Sequence, residues 1–320
     1  MSNRFWCALC RNTALFFVIL WLAGCAADER QLSEDKINIV ASFYPIYEFA
    51  RTIGGEHVHV VNLIPAGVEP HEWSPRSRDL IHASKAHLFM YNGAGLEGWV
   101  PDFLASLPED RKPVVVEVSR GIELIRSDEF AHDRDEAENG HEHAHDASID
   151  PHTWVSPRSA IRMAETIKNS LVESDPAHAA DYEANYAALH KQLQELDEQF
   201  RQVLGTVARK EIVVSHQSFG YLARDYGLKQ VAIMGLSPDA EPRSQDLKRI
   251  VDFVKEHGVR YIFFEQLVSD QLSKTLAEEA GVGVLPLHPV EGLTREQERN
   301  GDNYITIMQM NLQNLRKALE

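Results

Sequence analysis

Short apolar runs alternate with longer amphipathic segments along most of this chain. In the first half, the runs have the length and composition of strands, and the segments between them have helical spacing. The predicted strands are 37–43, 58–63, 87–91 and 114–118, and the predicted helices are 46–53, 77–86 and 156–172. Strands that alternate with helices are typical of βαβ units around a mostly parallel sheet. The pattern therefore predicts an α/β fold.

The same alternation returns in the second half of the chain. The predicted strands there are 211–215, 230–234, 260–264 and 282–286, and the predicted helices are 219–226, 244–256 and 269–280. The two halves share this organisation without any sequence repeat between them. We therefore predict two α/β lobes, each built on a mostly parallel sheet flanked by helices.

A single apolar stripe separates the two halves. It runs from Tyr182 to Val207, with its members alternately four and three positions apart. That spacing marks one face of a helix, and about 30 helical residues span roughly 45 Å. Because strands and helices resume directly after it, we interpret 175–208 as a helix that joins two lobes of one chain. A coiled coil with a partner is the alternative.

The N-terminus has the pattern of an export signal. Two arginines precede the apolar run 14–22, which is too short for a comfortable transmembrane helix, and small residues follow it. The segment 22–25, ending at Cys25, resembles the lipobox of bacterial lipoproteins. That resemblance implies cleavage after residue 24, a lipid on Cys25, and a membrane-anchored protein outside the cytoplasm, at the cell surface or in the periplasm. An ordinary secretory signal or an uncleaved anchor is the alternative.

The predicted organisation follows from these segments. Its parts are a signal peptide at 1–24, a polar tether at 25–36, an N-terminal lobe at 37–174, the linking helix at 175–208 and a C-terminal lobe at 209–320.

Cysteine and charge limit the chemistry of the processed chain. Cys7 and Cys10 lie in the segment that would be removed, so neither a disulfide nor a thiolate metal ligand remains. Any metal must be held by histidine, carboxylates or water. Removal of 1–24 leaves 30 basic against 48 acidic residues, a net charge of −18. This charge argues against nucleic acid, whose binding depends on basic contacts to phosphate.

Three histidines lie in motifs that fix the local backbone. His71 follows Pro70, and His152 follows Pro151. His216 comes directly after a predicted strand, at the carboxyl edge where ligands of open α/β sheets gather. Neutral imidazole is a good ligand for zinc, copper, iron and nickel. The sequence therefore predicts a transition-metal site assembled from distant parts of the chain.

A segment rich in histidine and acidic residues, 128–148, interrupts the alternation. It contains His141, His143 and His145 and has no apolar periodicity. We predict an exposed loop with auxiliary metal-binding histidines. A solvated low-complexity insert without function is the alternative.

Further candidate ligands follow two strands of the second half. His288 and Glu291 come after the last predicted strand, and each could be a fourth ligand. Glu265 directly follows the strand 260–264, and we expect it to orient an imidazole rather than bind the metal. Three histidines and one carboxylate would give the tetrahedral sphere that zinc prefers.

These motifs resemble the metal-binding solute-binding proteins of ABC importers, and most closely their zinc-uptake branch. The matching segments are 70–71, 150–157, 215–223 and 263–266, together with Tyr304, Met308 and Asn311. The resemblance covers essentially the whole chain after the signal. It implies two lobes joined by one long rigid helix, with the metal in the cleft between them. It also implies ligand roles for His71, His152 and His216, and a His-rich loop typical of zinc-selective members.

The resemblance also bears on the fourth ligand. Manganese-type relatives carry an aspartate near the position of His288 and a carboxylate in place of His216, and this chain has neither. Some zinc-type relatives use a glutamate in a segment similar to 289–293. The resemblance therefore favours Glu291, with His288 or a water as substitutes.

We therefore expect a monomeric, lipid-tethered protein that captures Zn²⁺ as transported cargo and delivers it to an ABC permease with its ATPase. We expect no enzymatic activity. The alternatives are a manganese-type or broader divalent-metal protein and a metal-dependent surface adhesin. A zinc hydrolase is a further alternative, since three histidines with an open position resemble catalytic zinc. The chain, however, lacks an HExxH motif.

Overall fold

The structure is a computed structural model that describes residues 32–126, 149–238 and 242–320. Several predicted features lie outside the described residues. These are the signal peptide 1–24, the lipidation site Cys25, most of the tether, and the segment with His141, His143 and His145. In the described part of the chain, no helix combines the length and the apolar character needed to cross a bilayer.

The first lobe contains a four-stranded parallel sheet in the order β2-β1-β3-β4. Its strands are β1 (Ile37–Ala41), β2 (Val58–Asn62), β3 (Leu88–Tyr91) and β4 (Val114–Glu117). Its helices are α1 (Tyr44–Gly54), α2 (Ser77–Ala83), α3 (Val100–Ser106) and α4 (Pro157–Ser174). β1 is buried along most of its length because helices cover the sheet and strands pair with it on both sides.

The second lobe repeats this plan with the strand order β6-β5-β7-β8, again all parallel. Its strands are β5 (Glu211–Val214), β6 (Lys229–Ala232), β7 (Tyr261–Phe264) and β8 (Gly283–Pro286). Its helices are α6 (Gly220–Tyr226), α7 (Ser244–Glu256), α8 (Gln271–Ala280), α9 (Arg295–Asn300) and α10 (Tyr304–Leu319).

One long helix, α5 (Ala179–Thr206), joins the lobes after a short 3-10 turn at Pro176–His178. It buries the predicted stripe, including Leu193 and Phe200, in a hydrophobic core. That core contains side chains of both lobes, from Ile39 in β1 to Leu285 in β8. The prediction of two parallel-sheet lobes joined by one long helix is confirmed. A shared core opposes wide separation of the lobes, because separation would expose apolar surface to water.

Three helices were not predicted. α3 is only seven residues long, and α9 is almost entirely polar, so neither has a clear periodic pattern. α10 buries Tyr304, Ile307, Met308, Leu312 and Leu315 on one face, so its helical spacing was present in the sequence. Most predicted strands extend one or two residues beyond the observed ends. Hydrogen bonding of the ladder, which the sequence does not show, sets those ends.

Candidate metal centre

His152 lies in a loop that buried hydrogen bonds fix on both sides. Asp150 Oδ1 accepts from the backbone N–H of His152 at 3.0 Å and lies 2.8 Å from its Nδ1. Asn92 donates to the carbonyl of Pro151 at 2.8 Å and accepts from the hydroxyl of Thr153 at 2.8 Å. The His152 ring is completely buried, so its Nε2 is directed into the interior with little rotational freedom.

His71 lies in the irregular segment between β2 and α2. The carboxylate of Glu69 accepts from the backbone N–H groups of His71 and Glu72, at 3.1 and 3.2 Å. These bonds shape a local turn that points the His71 ring towards His152. The side chain of His71 is 9% exposed, which makes it the most accessible of the cluster described below.

His216 follows β5 at the carboxyl edge of the second sheet. Its Nδ1 lies 2.7 Å from Oε1 of Glu265, which follows β7 at the same edge. Both side chains are buried. Nδ1 is therefore engaged with the carboxylate, which leaves Nε2 as the nitrogen that can bind a metal.

Glu291 lies in the loop after β8, directly after a strained residue. Val290 has a φ of 60°, a conformation that β-branched residues rarely adopt and that costs on the order of 1–3 kcal/mol. The loop holds it there, because the N–H of Val290 donates to His288 Nδ1 at 2.8 Å. Asn311 in turn pairs with both backbone groups of His288, at 2.8 and 2.7 Å.

The structure brings four of these side chains together. Nε2 of His152 lies 3.1 Å from Nε2 of His71 and 3.2 Å from Nε2 of His216. Oε1 of Glu291 lies 3.4–3.5 Å from all three nitrogens. A regular tetrahedron with an edge of about 3.3 Å has its centre about 2.0 Å from each corner, which matches Zn–N and Zn–O distances. Five of the six distances among the four atoms therefore match a tetrahedral zinc sphere, and the sixth, between Nε2 of His71 and Nε2 of His216, is within 4.8 Å.

Two further observations fit a cation at this point. Oε1 of Glu291 is buried and has no hydrogen-bond partner within the described residues, although buried carboxylate oxygens ordinarily have one. Among those residues, His71, His152, His216 and Glu291 also form the one group whose ligand atoms all lie within 4.8 Å of one another.

The imidazoles and carboxylates of the cluster shift one another's pKa values. Burial opposes charge on His216, but Glu265 and Glu291 outweigh it and raise the pKa of His216 to about 10. Burial likewise opposes charge on His152, yet Asp150 and Glu291 raise its pKa. Burial alone would raise the pKa of Glu291, whereas the three imidazoles hold it well below its usual value. The carboxylate of Glu291 is thus ionised beside the protonated imidazole of His216, and a divalent cation can take the place of that proton.

His288, predicted as the alternative to Glu291, lies outside this group. Its Nδ1 accepts from Val290, its Nε2 lies 3.2 Å from Oε1 of Gln297, and burial lowers its pKa to about 4. Both ring nitrogens are therefore engaged in holding the loop. Glu265 lies where the sequence placed it, beside an imidazole. Asp150 was not predicted, although a carboxylate two residues before His152 was visible in the Asp-Pro-His motif.

The family model described as zinc-uptake complex component A, periplasmic, matches residues 39–318. The chain belongs to this zinc-uptake family. It is similar to the zinc-binding lipoprotein AdcA of Streptococcus pneumoniae, with 38% identity over 301 residues that cover 94% of this chain and 59% of AdcA. The chain thus spans less than two thirds of that relative. It is also 38% identical to the high-affinity zinc uptake system protein ZnuA of Bacillus subtilis, covering 89% of this chain and 88% of that protein.

Solved structures of other members have the same fold. The Zn(II)-bound ZnuA-like domain of Streptococcus pneumoniae AdcA superposes with a TM-score of 0.75 at 38% identity, covering 89% of this chain and 99% of that domain. The laminin-binding protein Lmb of Streptococcus agalactiae, described as a bifunctional protein with adhesin and metal transporting activity, gives 0.75 at 31% identity. It covers 89% of this chain and 100% of Lmb.

Proposed function

We propose that this protein captures Zn²⁺ outside the cytoplasm and delivers it to the permease of an ABC importer. One observation carries the proposal: three imidazole nitrogens and one carboxylate oxygen, contributed by both lobes, lie within 4.8 Å of one another, and five of the six distances between them are 3.1–3.5 Å. Membership of the zinc-uptake family supports it. Zinc is the cargo in this proposal, and the protein binds it without chemical change.

We assign the ligand roles to His71, His152, His216 and Glu291. Asp150 and Glu265 orient two of the imidazoles and increase their basicity through Nδ1. A complete sphere of protein ligands suits capture, because it leaves no position for an activated water. Since the lobes share a core and a long helix, we expect release to require a small tilt rather than wide opening.

A lipid on Cys25 would anchor a monomer to the membrane beside its permease and ATPase, and residues 26–36 would be the tether. The histidines of 128–148 would raise the local zinc concentration, as tethered weak sites do.

The first test is a competitive titration of the purified protein with zinc and manganese, with and without residues 128–148. We expect one tight zinc equivalent that survives the deletion, and weak manganese binding, because the four cluster ligands lie outside the deleted segment. The matched control keeps the length of the segment and replaces His141, His143 and His145 by serine. If the deletion abolishes tight zinc binding, the site lies in residues 128–148, and the proposed site of three histidines and Glu291 is wrong. Tight manganese binding would favour the manganese-type alternative.

Uptake provides the corresponding test in cells. We expect the same deletion to slow growth under zinc starvation, because fewer ions would be held near the cleft. Unchanged growth would remove that role from 128–148 and leave the cleft proposal intact.

Glu265 supports the proposed site through its contact with Nδ1 of His216. We expect Glu265→Gln to weaken zinc binding about 10- to 100-fold, because a neutral amide no longer increases the basicity of His216. The matched control is Glu278→Gln on α8, which changes one exposed carboxylate of the same lobe. Competition with a fluorescent chelator measures both affinities. An unchanged affinity in Glu265→Gln would show that this carboxylate does not support the site.

An adhesive function is the second candidate, because Lmb combines adhesin and metal transporting activity on a similar structure. Cells without this protein would then lose attachment and retain zinc uptake. Hydrolytic turnover by the zinc-loaded protein would instead revive the hydrolase alternative.

A further inference from the structure

Trp154 connects the two lobes next to the ligand cluster. Its side chain is completely buried, with its ring packed against Phe43 at 4.6 Å between centroids. Its indole N–H donates to the carbonyl of Pro289 at 2.7 Å, and its own carbonyl accepts from the hydroxyl of Tyr304 at 2.7 Å. Trp154 belongs to the first lobe, and Pro289 and Tyr304 belong to the second, so both bonds cross the lobe boundary.

The bond to Pro289 acts on the segment that carries Glu291. Pro289 lies two residues before Glu291, and Leu293 lies two residues after it. The carbonyl of Leu293 accepts from the N–H of Gly67 at 2.7 Å. Two interlobe hydrogen bonds thus flank Glu291 in the sequence. Trp154, in the loop of His152, donates one of them, and Gly67, in the loop of His71, donates the other.

The segment between these two hydrogen bonds contains Val290, whose backbone conformation is strained. A β-branched residue with a φ of 60° keeps that conformation only while its surroundings hold it there. His288 and Asn311 hold it from within the second lobe. The Trp154 indole holds it from the first lobe, which also contributes His71 and His152.

We propose that Trp154 is a positioning residue that places the Glu291 carboxylate against the three imidazoles only when the lobes are together. The inference rests on the proposed zinc capture. It deepens that function, because one hydrogen bond would couple lobe contact to completion of the metal sphere. Separation of the lobes at a permease would break the Trp154–Pro289 bond, relax Val290 and withdraw the fourth ligand.

The test is a double-mutant cycle between Trp154→Phe and Glu291→Gln in the full protein. Phenylalanine keeps an aromatic ring against Phe43 and lacks the N–H donor, although its ring is smaller than the buried indole. We expect about tenfold weaker zinc binding for Trp154→Phe and about a hundredfold for Glu291→Gln, but about a hundredfold for the double variant. The double variant should bind no more weakly than Glu291→Gln, because the bond to Pro289 acts on affinity only through the Glu291 carboxylate. Effects that multiply to about a thousandfold would overturn the proposal.

Tyr304→Phe is the matched control. It also removes one interlobe hydrogen bond from Trp154, at the end that does not touch the Glu291 segment. We expect its effect on affinity to be under about threefold and to multiply with that of Glu291→Gln. If Trp154 only stabilises lobe contact, the two aromatic variants will behave alike, which would also overturn the proposal.

Cobalt absorption and indole exchange provide readouts that a structural role alone would not change. Trp154→Phe should reduce the intense visible absorption of four-coordinate Co²⁺, as Glu291→Gln should, while Tyr304→Phe should keep it. If Trp154→Phe does not fold, the wild-type protein still provides a test. Zinc should slow hydrogen exchange of the Trp154 indole N–H, and should slow it far less in Glu291→Gln, because coupling is reciprocal. Equal slowing in both proteins would contradict the coupling.

Discussion

Replacing His216 by alanine is expected to weaken zinc binding by about a thousandfold, or ~4 kcal/mol. The change removes one of the four proposed ligands and leaves Glu265 buried without its imidazole partner, at 4% exposure. Two unbalanced carboxylates would then face a cation with only two nitrogen ligands. Competition of the variant and the wild-type protein with chelators of graded affinity measures the loss.

His257→Ala is the matched control, because His257 is an exposed histidine of the same lobe whose Nδ1 lies 3.1 Å from the carbonyl of Phe253. We expect its zinc affinity to equal that of the wild type. His152→Ala should repeat the loss from the first lobe, since its Nε2 lies within 3.4 Å of three other ligand atoms. A loss below tenfold in either ligand variant would mean that the metal is held by other residues.

The sequence alone was sufficient to predict His216 as a candidate ligand. A histidine directly after a strand of a parallel sheet lies at the edge where ligands gather, and the strand itself was evident from its apolar run. Glu265 followed from the same reasoning at the next strand, β7. Each of these predictions needed only the apolar run that marks a strand and the rule that ligands bind at the carboxyl ends of parallel strands.

Glu291 could not be separated from His288 by local pattern. Both residues follow β8 within five positions, and the resemblance to zinc-uptake proteins favoured Glu291. In the structure, Glu291 lies in the cluster of candidate ligands and His288 does not. The loop that carries both residues has an unusual backbone at Val290 and a contact distant in sequence, between Trp154 and Pro289. A left-handed valine contradicts local propensity, and such conflicts tend to occur at functional sites.

The two lobes meet through a second buried contact with its own expected consequence. Glu48 on α1 accepts hydrogen bonds from the N–H of Tyr304 at 2.9 and 3.1 Å and from the hydroxyl of Tyr44. Burial raises the pKa of Glu48 from 4.5 to about 7, although the Tyr304 N–H and Arg51 act in the opposite direction. The native state therefore retains this proton at pH values where the unfolded chain has released it.

The sign of the effect on stability follows from proton binding. Between about pH 4.5 and 7 the folded state binds more protons at Glu48, so the free energy of unfolding decreases as pH rises through this window. Each unit of pKa difference corresponds to about 1.4 kcal/mol. Ionised Glu48 should therefore cost the folded protein about 3 kcal/mol at pH 8.

Glu48→Gln is expected to remove this cost. Glutamine can accept from the N–H of Tyr304 through its oxygen and donate to the Tyr44 hydroxyl through its amide, without a charge. Its stability relative to the wild type should rise by about 2–3 kcal/mol between pH 5 and pH 8. Urea unfolding of the metal-free proteins at both pH values measures this difference, with the exposed Glu56→Gln as control. If the relative stability of Glu48→Gln does not change with pH, Glu48 is ionised at a normal pKa and the interlobe contact tolerates its charge.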